Sequence, residues 1–200
     1  MAQIDYYFSL LSGSAYQAGD RLEKIAAKHG AVINYKPYDI ITLYDRLGAP
    51  KPADRPEGRK IYRTQELTRL PKKTGLPLKL DAAFWPTNAA PASYAVIAAA
   101  NAGGGDIGAM IASLNRAMWA EDKDIADDAV ITAARKEGGV DPMLAMTGML
   151  AGAETYARNL EDAHAAGVFG SPFYIVTETD ERFWGQDSLE DLDLHLAGKL

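Results

Sequence analysis

Three short stretches of this chain carry residues whose types and spacing suit chemistry. Ser12 lies in Ser9-Leu10-Leu11-Ser12-Gly13-Ser14-Ala15-Tyr16, directly after the apolar run Ile4-Asp5-Tyr6-Tyr7-Phe8. That order reads as a buried strand turning into a helix, with a hydroxyl at the helix start. Such a serine commonly serves as a cap. The same position suits an anion, because free N–H groups and the positive helix end favour negative charge by about 0.3–1 kcal/mol. A hydroxyl there adds one charge-assisted hydrogen bond. A nucleophilic serine needs a base beside it, and the sequence displays none. Steadying an anion brought by a ligand is the more economical role.

The second stretch is Gly170-Ser171-Pro172 ahead of the apolar Phe173-Tyr174-Ile175-Val176. A cis bond before Pro172 turns the Ser171 N–H and C=O away from the sheet, where an extended peptide can pair with them. The third is Trp184-Gly185-Gln186-Asp187-Ser188, before a last helical pattern. Asp187 there either offsets the helix dipole or holds an ammonium group, with Ser188 and nearby N–H groups free for a carboxylate. Lys60, in Arg59-Lys60-Ile61-Tyr62, is either a solvated base or a partner for a ligand carboxylate. The tryptophans Trp85, Trp119 and Trp184 read as core or wall residues.

The elements that position these residues follow from periodicity. Gln3 to Phe8 is a central strand, Ala15 to Lys28 a helix ended by Gly30, and Val32 to Tyr38 a strand with Pro37 at its end. Ser14-x-x-Gln17 resembles a capping box. From Ile40 to about Ala166 no strand is expected. Helical segments run over Gly58 to Lys73, Asn88 to Asn101, Asp106 to about Asp122, Asp127 to Glu137, Asp141 to Leu150 and Ala153 to Ala166. Strands return at Phe173 to Thr177 and Glu181 to Gly185, with a helix after Ser188. The pattern is βαβ, a helical block, then ββα. It predicts an α/β, thioredoxin-like fold over residues 1–39 and 167–200, with a helical insertion over 40–166.

Composition narrows the classes. Of 200 residues 48% are hydrophobic and 24% charged, enough for a core. The net charge of −6 argues against a nucleic-acid or anionic-membrane partner. No apolar run reaches membrane-spanning length, and Met1-Ala2-Gln3 lacks the basic start of a signal peptide, so a cytoplasmic location is expected. There is no cysteine, and the three histidines show no metal-ligand spacing, so no metal is expected.

With these residues in view, the chain resembles the 2-hydroxychromene-2-carboxylate isomerases, in the group with kappa-class glutathione transferases and DsbA-like oxidoreductases. The resemblance rests on Asp5-Tyr6-Tyr7-Phe8 with Ser12 and Tyr16, Gly75-Leu76-Pro77-Leu78, Trp119 ahead of Asp124-Ile125, Gly167-Val168-Phe169-Gly170-Ser171-Pro172, and Trp184-Gly185-Gln186-Asp187. It implies glutathione as cofactor, a small-molecule electrophile as substrate and a homodimer. By that analogy Ser12 bonds the glutathione thiolate, and Ser171, before cis Pro172, pairs with the cysteinyl backbone. Gln186 and Asp187, with the Trp184-Gly185 backbone, hold the γ-glutamyl end, and Lys60 meets the glycine carboxylate. The implied reaction is isomerisation of a conjugated acid by reversible thiolate addition. The alternatives are a kappa-like transferase that forms a stable conjugate, or a non-catalytic thiol- or peptide-binding module. Disulfide exchange needs a cysteine the chain lacks. Gly13 stands where many relatives carry proline, and Thr42-Leu43-Tyr44-Asp45-Arg46 offers no lysine for an aromatic acid.

Overall fold

Side-chain alternation decides how the sheet is covered. In β1 (Gln3–Phe8), Ile4, Tyr6 and Phe8 face one apolar cluster and Tyr7 faces another. Strand β3 (Phe173–Val176) splits the same way: Tyr174 and Val176 join the first cluster, Phe173 and Ile175 the second. A strand buried on both faces must be central. The computed structural model, which describes residues 1–141 and 149–200, has a four-stranded sheet in the order β2-β1-β3-β4. β2 (Val32–Pro37) runs parallel to β1, and β3 is antiparallel both to β1 and to β4 (Glu181–Trp184). Pro37 ends the outer strand, where a missing N–H costs little.

The four strands and the helical block between β2 and β3 come in the predicted order. Between β2 and β3 lie α3 (Ile40–Arg46), α4 (Glu57–Thr74), α5 (Ala90–Ala102), α6 (Ile107–Trp119), α7 (Asp128–Glu137) and α8 (Met149–Ala165). Among the described residues no strand occurs there. The helix expected from Asp141 to Leu150 lies largely outside the described residues. α9 (Leu189–Leu196) closes the chain. The first cluster joins sheet residues to Val96 of α5 and to Met110 and Leu114 of α6. The second seats Ile40 and Leu43 of α3 and Leu160 of α8 on the other face.

Three local expectations are corrected. The single helix from Ala15 to Lys28 is two: α1 (Gly13–Ala18) and α2 (Arg21–His29). Gly19 takes φ +60° at the break, and Arg21 donates to the Gln17 and Ala18 carbonyls that α1 leaves open. The cap is Ser12, not Ser14: the Ser12 hydroxyl oxygen accepts from Ala15 N–H at 3.2 Å. Gln17 instead turns sideways to Leu76 O and the Thr74 hydroxyl. Finally, α3 was not anticipated, although Asp39 caps it by accepting from the N–H groups of Ile41 and Thr42.

Beneath the sheet, Glu23 of α2 accepts from the Tyr35 hydroxyl at 3.1 Å, while its second carboxylate oxygen is buried without a partner among the described residues. Burial pushes its carboxyl above the ordinary range. The native state therefore holds this proton more tightly than the unfolded chain does. The resulting penalty is present above both pKa values and vanishes below the ordinary carboxylate range. Glu23→Gln, which keeps an acceptor for Tyr35, should raise the thermal midpoint at pH 7. Calorimetric scans across pH should show the gain shrinking toward zero in acid.

Candidate active site

The turn that carries Ser12 is tied down from outside. Ser12 N–H donates to Ser9 O at 3.0 Å, closing the turn. The indole N–H of Trp119 donates to Leu10 O at 3.1 Å, and that of Trp85 donates to Leu11 O at 3.0 Å. Two tryptophans from the inserted helical region thus fix the two residues before Ser12. Gly13 packs so closely that an added Cβ would meet Leu67 and Leu78 at 3.3 Å.

Facing this turn is the segment Gly170–Pro172. The Ser171-Pro172 bond is cis. Four hydrogen bonds hold the segment. Tyr38, fully buried, donates its hydroxyl to Gly170 O at 2.8 Å. Ser9 N–H donates to Ser171 Oγ at 2.9 Å, and Ser12 Oγ donates to Ser171 O at 2.8 Å. Gly185 N–H donates to Pro172 O at 2.9 Å. A Cβ at Gly170 would lie 2.4 Å from Trp184 Nε1, so a larger residue there would have to displace the indole. The sheet pairs neither peptide group of Ser171: the N–H has no partner among the described residues, and the C=O takes the Ser12 hydroxyl and keeps one lone pair.

The third stretch sits beside them. Trp184 is 52% exposed and packs edge-on against Phe169, with ring centroids 5.0 Å apart. Gln186 is 2% exposed. Its amide oxygen accepts from Arg21 and its NH₂ donates to Asp187. Gln186 therefore positions Asp187 and presents nothing of itself. Asp187 is exposed and faces Lys73 of α4 at 3.4 Å, a loose pairing. Lys60 is exposed near the start of α4 and makes no ion pair among the described residues. No contact ties it to Ser12 or Asp187.

Sequence reasoning passed over several neighbours of this site. Glu66 of α4 has its carboxyl pushed up, first by burial and then by the negative charge of Asp187. Arg63 lies with its guanidinium carbon 5.6 Å from the centre of the Trp85 ring. The i, i+3 spacing of Lys60, Arg63 and Glu66 was the available signal. A separate cavity of about 550 Å³ lies at the far end of α1 and is bounded by Tyr16, Glu23, Leu76, Asn115 and Arg116. Neither Ser12 nor Ser171 lines it.

Residues 3–197 match the family model described as DSBA-like thioredoxin domain. The chain belongs to this family. Two curated relatives are named 2-hydroxychromene-2-carboxylate isomerase. The one from Sphingobium xenophagum is 28% identical over 96% of this chain and 97% of its own. The one from Pseudomonas putida is 29% identical over 93% and 90%. A solved 2-hydroxychromene-2-carboxylate isomerase superposes with TM-score 0.75 at 24% identity, covering 98% of this chain and 95% of that one. The cytosolic disulfide reductase DsbM from Pseudomonas aeruginosa, solved with GSH, gives TM-score 0.70 at 21% identity over 98% of both chains. The fold is thus the DsbA-like thioredoxin fold, in a member that carries no cysteine of its own.

Ser171→Ala should leave the buried Ser9 N–H without an acceptor. A cost of about 1–3 kcal/mol is expected, read as a lower urea midpoint with an unchanged slope.

Proposed function

We propose that this protein is a glutathione-dependent isomerase of a conjugated aromatic acid, of the 2-hydroxychromene-2-carboxylate type. The observation that carries the reading is the meeting of the Ser12 hydroxyl with the Ser171 peptide, whose N–H is left unpartnered beside a cis proline. The two curated relatives named for that isomerisation support it. The available groups suit a tripeptide thiol: an unpaired N–H, a carbonyl lone pair, a hydroxyl and a carboxylate. Ser171 N–H and C=O would pair with the tripeptide's extended backbone. Asp187, held by Gln186 and joined by Glu66, would take the ammonium group. Lys60 would meet the glycine carboxylate, as the resemblance implies. The reading places the protein in the cytoplasm, where thiols stay reduced, and makes it a homodimer.

Glutathione, when bound, supplies a thiolate that adds reversibly to a conjugated acceptor, so that a former double bond becomes free to rotate. The task left to the chain is to favour the anion. The Ser12 hydroxyl now makes a neutral bond to Ser171 O. Turning it to a sulfur anion exchanges a bond worth about 0.5–1.5 kcal/mol for one worth about 1.5–3. The gain, roughly 1 kcal/mol, is most of one pKa unit. α1 has only six residues, so its dipole adds at the lower end of about 0.3–1 kcal/mol. The hydroxyl is the larger contributor.

Ser12→Ala should raise the pKa of the bound thiol by about one unit and lower turnover about tenfold or more, while glutathione affinity below that pKa changes little. Calorimetric titration and thiolate absorbance read the two quantities separately. An unchanged thiol pKa would remove Ser12 from the reaction. Asp187→Ala should weaken glutathione about tenfold and leave the bound thiol's pKa in place. A product assay completes the test, since an isomerase returns free glutathione and a transferase consumes it.

A further inference from the structure

Two arginines, Arg63 and Arg55, form no ion pair among the described residues, although the Glu66 charge acts on Arg63 from a distance. Arg63 of α4 is half-buried over the Trp85 ring, and Trp85 is bonded to the residue before Ser12. Arg63 makes no hydrogen bond or ion pair among the described residues. Arg55, also half-buried, donates from Nη2 to the Tyr44 hydroxyl at 3.2 Å, and its Nε–H is buried without an acceptor among the described residues. The Tyr44 hydroxyl accepts that bond, and its own proton has no acceptor among the described residues. The two guanidinium groups feel each other. Burial first, and the Arg55 charge second, hold Arg63 below the usual arginine range.

Two like charges drawn together and partly out of water are costly unless an anion joins them. Elsewhere this acidic chain provides such anions. Arg46 pairs with Glu161 at 2.7 Å, Arg116 with Glu137 at 2.7 Å and Arg182 with Asp180 at 2.9 Å. Glu66, one turn along α4 from Arg63, forms no ion pair with it. What remains is a set of fork-shaped donors with a hydroxyl, one guanidinium over the Trp85 ring and the other over the Tyr44 ring, with no carboxylate bonded to either among the described residues. That set matches a planar carboxylate, which guanidinium groups bind through two parallel bonds.

We propose that Arg55, Arg63 and the Tyr44 hydroxyl hold the carboxylate of the conjugated aromatic acid, with Trp85 as its apolar wall. The identity of that acid as the substrate rests on the function proposed above. The site orients the acid so that its conjugated carbons face the Ser12 turn. A glutathione carboxylate is the other source of the same chemistry, and the test separates the two.

The test uses the whole chain without glutathione. Calorimetry compares trans-2-hydroxycinnamate with its neutral amide, and glutathione is titrated separately. The acid should bind at least about tenfold tighter than the amide. Arg63→Gln should abolish that preference while glutathione affinity stays within about twofold, and Arg63→Lys, a charge without the fork, should fall between. The wild-type acid–amide comparison stands even if Arg63→Gln fails to fold. Equal binding of acid and amide, or no binding of the acid, overturns the proposal. So does an Arg63→Gln variant that loses glutathione in place of the acid. An intact preference for the acid with no glutathione binding supports the carboxylate site and sinks the function proposed above.

Discussion

The hydrogen bond from Ser12 Oγ to Ser171 O joins residues 159 positions apart in sequence. It is the point where the two ends of the chain become one site. The bond has meaning only because both partners are immobilised independently. The Ser12 side is fixed by Trp85 and Trp119, whose N–H groups take the carbonyls of Leu11 and Leu10. The Ser171 side is fixed by Tyr38, Ser9 and Gly185. Five residues from separate parts of the chain thus hold both partners in place, while Ser171 N–H itself has no partner among the described residues. A main-chain donor left over beside so many paired groups is available to a ligand.

The same bond limits how strongly the site can act. The hydroxyl has one proton, and without a ligand it rests on a neutral carbonyl. An anion must outbid that carbonyl, which it does only by its charge. The break at Gly19 limits the other source of stabilisation, because the dipole behind Ser12 is that of a short helix. A continuous helix to residue 28 would have offered a longer array of aligned peptides. The chain instead spends Arg21 on closing the end of α1 and on holding Gln186. That choice links the far end of α1 to Asp187, so one side chain orders two edges of the site.

The sequence was most readable where one physical signal acted alone. The βαβ and ββα units follow from alternation and length, and the structure places each strand within a residue or so of its expected bounds. Gly30 ended its helix in the left-handed region as its position suggested. The reading failed where two signals competed. Ser12 and Ser14 both suit a cap, and only the register of the turn, set by distant tryptophans, chooses Ser12. Gln17 fits a capping box, but burial sends it to Leu76 instead. α3 was hidden because it is only seven residues long and lies between the strand that Pro37 ends and the first helical segment expected, at Gly58. Arg55 and Arg63 could not be singled out among many surface bases. Their meaning lies in the ion pairs they do not make among the described residues, which is a property of three-dimensional neighbours alone.

Charge along α4 then explains how an acidic protein can offer an anion-seeking site. Net charge acts at long range and is screened over about 8 Å in physiological salt, whereas a half-buried group responds to its neighbours. On α4, Arg63 and Glu66 are three residues apart, so about 4.5 Å of helix separates a positive pole from a negative one. Arg55 reinforces the first pole, and Asp187 the second. Had Arg63 and Glu66 closed into an ion pair, each pole would have been neutralised. They remain apart because Arg63 is drawn onto Trp85 and Glu66 lies toward Asp187. The tryptophan that fixes the Ser12 turn therefore also keeps a cation unpaired beside it, so the rigidity of the turn and the charge of the pocket have one cause.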